Sequence, residues 1–124
     1  MTKLILIFVG SGIGGVLRYL LSMAMQGAEP ERFPIGTLAV NVIGCLAIGL
    51  LTAAPVPLRE EHRAAIIVGV LGGFTTFSAF GRETFALAAD KHLALAGLNI
   101  ILSVMLGLAA VWIGTRIGQR MYAG

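Results

Sequence analysis

Apolar residues gather into four long runs along this chain, separated by three short polar stretches. The runs extend from Leu4 to Met25, Ile35 to Ala54, Ala64 to Ala89 and Leu93 to Gly114. Each is about 20 residues or longer, enough for a helix to cross a hydrocarbon core about 30 Å thick. Gln26–Pro34, Pro55–Arg63 and Asp90–His92 collect the prolines, the histidines and most of the charges and read as loops. The pattern predicts an all-α membrane protein, one domain over residues 1–124 with four transmembrane helices.

The third run departs from plain membrane-helix composition. Its centre reads Gly69-Val70-Leu71-Gly72-Gly73-Phe74-Thr75-Thr76-Phe77-Ser78-Ala79-Phe80-Gly81, with Gly, Thr and Phe where Leu and Val would suffice. This composition predicts a break mid-membrane within residues 72–76, at Gly72-Gly73. Irregular backbone at depth is tolerated only where protein buries it or a cavity receives it. An unbroken helix would also carry the adjacent Arg82-Glu83 pair two thirds of the way along.

The other runs hold small residues and isolated polar groups. Gly10 and Gly14 stand one helical turn apart, a spacing that lets two helices approach closely. Arg18 lies a turn or two from the end of the first run. Snorkelling to the interface and a place in a pore vestibule both fit it. Asn41 lies inside the second run, where an unpaired amide is costly; it faces either a neighbouring helix or water. Asn99 and Ser103 share one face of the fourth helix. Trp112, Arg116, Arg120 and Tyr122 form an aromatic and basic belt at its end.

Composition sharpens the class. The chain is 57% hydrophobic and 12% charged, against about 25% charged in soluble domains, and its mean hydropathy is +0.92. The net charge of +3 comes from nine Lys and Arg that form no run, so they read as membrane anchors and not as a nucleic-acid surface. The opening run, with one lysine and no return to polar sequence, reads as a first membrane helix rather than a cleaved leader. One cysteine, Cys45, excludes a disulfide framework and a thiolate cluster.

Four spans place both termini on one side with Lys3, Arg59, Arg63, Arg116 and Arg120. Arg32 and Lys91 lie on the other side, with Arg18 and Arg82 near that end. Five against four is almost no bias, and orientation follows Lys/Arg asymmetry; insertion both ways up, and an antiparallel homodimer, follow. Counting loops and tails alone gives five against two, which supports a single orientation.

No nucleophile–base pair, metal cluster or phosphate loop is present, so an enzyme is not expected. What remains is neutral: Asn41, Thr75, Thr76, Phe77, Ser78, Phe80, Asn99 and Ser103. Phe77 and Phe80 fall three apart on one side of a helix beginning near Thr75. Their ring edges are electropositive and attract a small anion without the grip of an arginine. Conduction requires binding that is strong enough to enter and weak enough to leave. The same spacing also fits rings that face lipid or core. Thr76, Asn99 and Ser103 form a secondary polar track. Carbonyls freed by the break suit a desolvated cation such as Na⁺.

Gly14-Gly15-Val16-Leu17-Arg18-Tyr19, Pro34-Ile35-Gly36-Thr37-Leu38-Ala39-Val40-Asn41-Val42-Ile43-Gly44 and Gly72-Gly73-Phe74-Thr75-Thr76-Phe77-Ser78-Ala79-Phe80 together resemble the signature blocks of the Fluc (CrcB) fluoride channels. The resemblance implies a passive fluoride-selective channel that exports F⁻ and relieves toxicity, in a dual-topology homodimer with two antiparallel pores. It implies that Phe77 and Phe80 are pore phenylalanines, Asn41 a pore amide, Ser78 a pore hydroxyl and Arg18 a vestibule residue. Backbone carbonyls of Gly72 and Thr75 would hold a central Na⁺ at the dimer interface, and the location implied is the bacterial inner membrane. Three positions depart from the pattern: Ala79 stands where Thr is usual, Asn99 where Tyr is frequent, and Cys45 where Ser is common. Two other classes fit the length. A small dual-topology exporter of organic cations needs an acid within its first helix, and Leu4–Met25 has none. A non-transporting assembly subunit has no use for polar residues within three spans.

Overall fold

The computed structural model describes residues 1–27, 33–53 and 57–122. Glu29, Pro30, Glu31 and Arg32 of the first expected loop, and Pro55 and Val56 of the second, lie outside the described residues. Helix α1 spans Thr2–Gln26 and α2 Ile35–Ala53. A third segment, Glu60–Ala89, is built from α3 (Glu60–Ala64), a π-helical stretch (Ala65–Leu71), α4 (Gly72–Phe74) and α5 (Phe77–Ala89). Helix α6 spans Leu93–Tyr122. These four units are long and apolar enough to cross a membrane.

At 30 residues, α6 is about 45 Å long, well beyond a hydrocarbon core of about 30 Å. Its helix continues past Gly114 through the basic residues Arg116 and Arg120, and the Arg116 guanidinium lies over the Trp112 ring, 5.5 Å from its centroid. Gln26, expected in a loop, closes α1 instead. Its side chain accepts from the Gly36 amide at 3.2 Å and donates to the Phe33 carbonyl at 3.3 Å, so it occupies an orphan donor at the start of α2.

Glycines decide which helices meet. Gly10 and Gly14 of α1 face Gly69 and Val70, and a Cβ on Gly73 would strike the Ser11 carbonyl. Helices α2 and α6 form the other close pair, with Gly49 against Val111 and Gly114 against Leu46. Side chains at these positions would hold the backbones apart, as small-residue seams in membranes avoid. The buried apolar core is small: Val40, Phe74, Leu87, Ala96 and Ala110. Large apolar side chains such as Phe8, Val68, Phe85 and Leu108 lie on the outside, a surface that lipid or a further helix would cover.

The turn between α5 and α6 is tight for a defined reason. Lys91 has φ 64°, its amide returns to the Ala88 carbonyl at 3.1 Å, and the His92 amide returns to Leu87 at 2.8 Å. This is a Schellman closure with lysine where glycine is usual.

Candidate functional site

The site forms where the third segment stops being helical. Gly72 keeps helical dihedrals, φ −65° and ψ −37°. The extended residues are Thr75 (φ −79°, ψ 156°) and Thr76 (φ −151°, ψ 113°), near the midpoint of Glu60–Ala89. Gly72 and Gly73 themselves are helical, and a Cβ on Gly73 would strike the Ser11 carbonyl.

Two extended residues expose polar backbone that must find partners. Asn41 serves Thr76 twice: its Oδ1 accepts from the Thr76 amide at 2.8 Å and its Nδ2 donates to the Thr76 carbonyl at 3.0 Å. Thr76 Oγ1 then caps α5 by accepting from the Ala79 amide at 3.1 Å. Thr is a favoured residue for that position, so the threonine before the Phe77–Ala89 run was a usable signal for the helix start. The Thr75 hydroxyl donates to the Leu71 carbonyl at 3.0 Å, while Arg18 Nη1 lies 3.4 Å from the Thr75 carbonyl.

Two hollows flank this junction. An open groove of about 550 Å³ is lined by Asn41, Gly72, Thr75, Thr76, Phe77, Phe80 and Ser103, with Gly44 and Cys45 of α2 and Gly107 and Val111 of α6. Among the described residues, none that lines it carries a formal charge. Phe77 and Phe80 meet along it with ring centroids 5.4 Å apart and planes at 46°, and Phe77 is 83% exposed. A second hollow of about 460 Å³ contains Arg18, Tyr19, Ser22, Thr37, Ser78, Arg82 and Glu83. Thr76 borders both.

The expected site residues therefore divide. Asn41, Phe77, Phe80, Ser103, Gly72 and Thr75 come together at the groove, whereas Ser78 joins Arg18 in the second hollow, its hydroxyl 3.2 Å from Thr76 Oγ1. Asn99 lines neither and is 2% exposed. Thr37 and Glu83, both on the second hollow, lay outside the expected set. Thr37 donates to Glu83 Oε1 at 2.9 Å, and Glu83 Oε2 is buried without a partner among the described residues. An acid beside Arg82 in an otherwise uncharged run was the available signal; the contact with Thr37 crosses between helices and has no mark in the sequence.

A family model described as "CrcB-like protein, Camphor Resistance (CrcB)" matches residues 5–115. The chain belongs to the CrcB family. Among similar CrcB relatives, a protein of Solibacter usitatus named Fluoride-specific ion channel FluC is 44% identical over 121 residues, covering 95% of this chain and 99% of the relative. A protein of the same name from Paramagnetospirillum magneticum is 49% identical over 114 residues, with 88% of this chain and 89% of the relative covered. Another, from Coxiella burnetii, is 42% identical over 123 residues, covering 96% and 99%. With four membrane-length helices and family membership along nearly its whole length, this CrcB chain is a multi-pass cell-membrane protein.

Proposed function

We propose that this chain is a passive fluoride channel and not an enzyme, and that it works as an antiparallel homodimer lowering cytoplasmic fluoride. The observation that carries the reading is the Phe77–Phe80 pair on a groove that has no formally charged lining among the described residues. Ring edges and neutral dipoles replace part of an anion's hydration without trapping it. The relatives' printed name supplies the ion. Ser103 adds a hydroxyl to the groove, and Arg18 and Ser78 form the vestibule side. In this reading the extended residues lie at mid-bilayer, and a second copy covers the exposed Phe77 face.

The fit to a central Na⁺ rests on two carbonyls. In a continuous helix the Gly72 carbonyl would receive the Thr76 amide, and the Thr75 carbonyl the Ala79 amide. Those amides are instead taken by Asn41 and by Thr76 Oγ1. Gly72 and Thr75 thus offer oxygens of the kind a desolvated cation needs, and Arg18 shares the Thr75 oxygen. A bound Na⁺ would supply local positive charge at the centre of the dimer.

Purified protein in liposomes, followed with a fluoride electrode, tests the function: rapid fluoride efflux with chloride retained is expected, and chloride flux equal to fluoride, or no flux, overturns it. Lysines added to one loop should bias insertion to one orientation and silence the protein when expressed alone. Full activity of such a singly oriented variant would refute the antiparallel dimer. An organic-cation exporter remains disfavoured by the absence of an acidic residue in α1.

A further inference from the structure

Asn99 is almost completely enclosed, at 2% exposure, although an amide at membrane depth is expensive to bury. Its bonds explain the burial. Asn99 Nδ2 donates to Thr84 Oγ1 at 2.9 Å, and Thr84 Oγ1 donates to the Phe80 carbonyl at 2.7 Å. On the other side, Ser103 Oγ is 3.5 Å from Asn99 Oδ1. A line of polar contacts therefore runs from α6 into the backbone of the residue whose ring meets Phe77 on the groove.

We infer that Asn99 is a positioning residue, acting through Thr84 to fix the rotation of α5 and hence the placement of the Phe77–Phe80 pair. The inference rests on the groove being the ion path, yet Asn99 does not line that groove and has no part in meeting the ion. Helix α5 needs such an anchor. It begins just after two extended residues, so helical bonding from α4 does not set its rotation. Thr76 caps its start; Asn99 holds it two turns further on, from a different helix. The Thr84 hydroxyl is suited to the relay because a side-chain oxygen bonded to the carbonyl one turn earlier still has a lone pair for a second donor.

Flux and spectroscopy on the full-length protein test this together. Asn99→Leu keeps the number and branching of side-chain heavy atoms and Thr84→Val keeps side-chain volume; both remove the relay, whereas Thr84→Ser keeps it. Each relay-breaking variant should lower fluoride efflux about three- to tenfold, the consequence of losing one buried hydrogen bond. The double variant should be no worse than either single one, and Thr84→Ser should conduct like the parent. Additive losses in the double variant, or a loss in Asn99→Leu with none in Thr84→Val, would mean that Asn99 acts on the ion directly. The second readout does not depend on conduction. With 4-fluorophenylalanine placed at position 80, the ¹⁹F resonance should move or broaden alike in Asn99→Leu and Thr84→Val and stay at the parent position in Thr84→Ser. An unchanged resonance in the first two variants overturns the inference. Absence of fluoride efflux from the parent protein would overturn the channel reading and leave the ¹⁹F comparison to decide the role of Asn99.

Discussion

Asn41 and Thr76 are joined by two hydrogen bonds running in opposite directions, 2.8 Å from the Thr76 amide to Oδ1 and 3.0 Å from Nδ2 to the Thr76 carbonyl. The side-chain amide thus stands in for a neighbouring strand and meets both backbone groups of the extended residue. Replacement by leucine, which has the same number and branching of side-chain heavy atoms, leaves both unpaired, at about 1–3 kcal/mol for each group. Asn41→Leu is expected to lower the thermal midpoint in detergent markedly and to slow fluoride efflux. An unchanged midpoint would show that water or another side chain takes over the two groups.

Thr76 has a second task as the cap of α5, accepting from the Ala79 amide at 3.1 Å. Removing a capping oxygen costs about 0.5–2 kcal/mol. Thr76→Val should lose this amount in chemical unfolding while Thr76→Ser loses little. Equal stability of the two variants would contradict the cap.

The rings of Phe77 and Phe80 differ from the helix-packing residues around them because Phe77 is open to the outside. Phe77→Ile and Phe80→Met should slow fluoride efflux by about threefold to tenfold, the rate equivalent of an aromatic contact worth ~0.5–1.5 kcal/mol. The mass of the assembly in detergent should not change. Parental flux in both variants would remove the pair from the ion path.

Gly49 and Gly114 sit where a Cβ would collide with the carbonyls of Val111 and Leu46. Gly49→Ala or Gly114→Ala should cost about 1–3 kcal/mol as overpacking. Gly12 has open space around its missing side chain, so Gly12→Ala should be neutral or slightly stabilising. Comparing the three thermal midpoints separates the α2–α6 seam from a general aversion to larger residues.

Lys91 adopts the left-handed conformation at φ 64°, which costs a residue with a Cβ about 1–2 kcal/mol. Lys91→Gly should recover roughly 1 kcal/mol in stability. The same change removes a basic residue from the α5–α6 turn, so insertion assays should show a bias toward the opposite orientation.

The four membrane-length helices were legible because lipid imposes a length and a composition that any bilayer helix must satisfy. Asn41, Phe77 and Phe80 stood out as polar or aromatic exceptions in apolar runs, and the groove does collect them. Ser78 and Asn99 stood out for the same reason and lie elsewhere, since an exception in composition carries no direction around the helix. Thr84 and Thr37 did not stand out at all. A threonine is unremarkable in a helix until a partner from another helix gives its hydroxyl a use.

By itself the sequence determined that the chain enters a membrane and how many times it can cross. The hydrophobic effect and the demand for satisfied backbone act locally, on any such sequence. Only the tertiary structure decided that Thr75 and Thr76 carry the extended backbone while Gly72 and Gly73 remain helical. That outcome depends on Ser11 pressing against Gly73 and on Asn41 reaching Thr76, contacts between residues far apart in the chain, whose free energies no local pattern encodes.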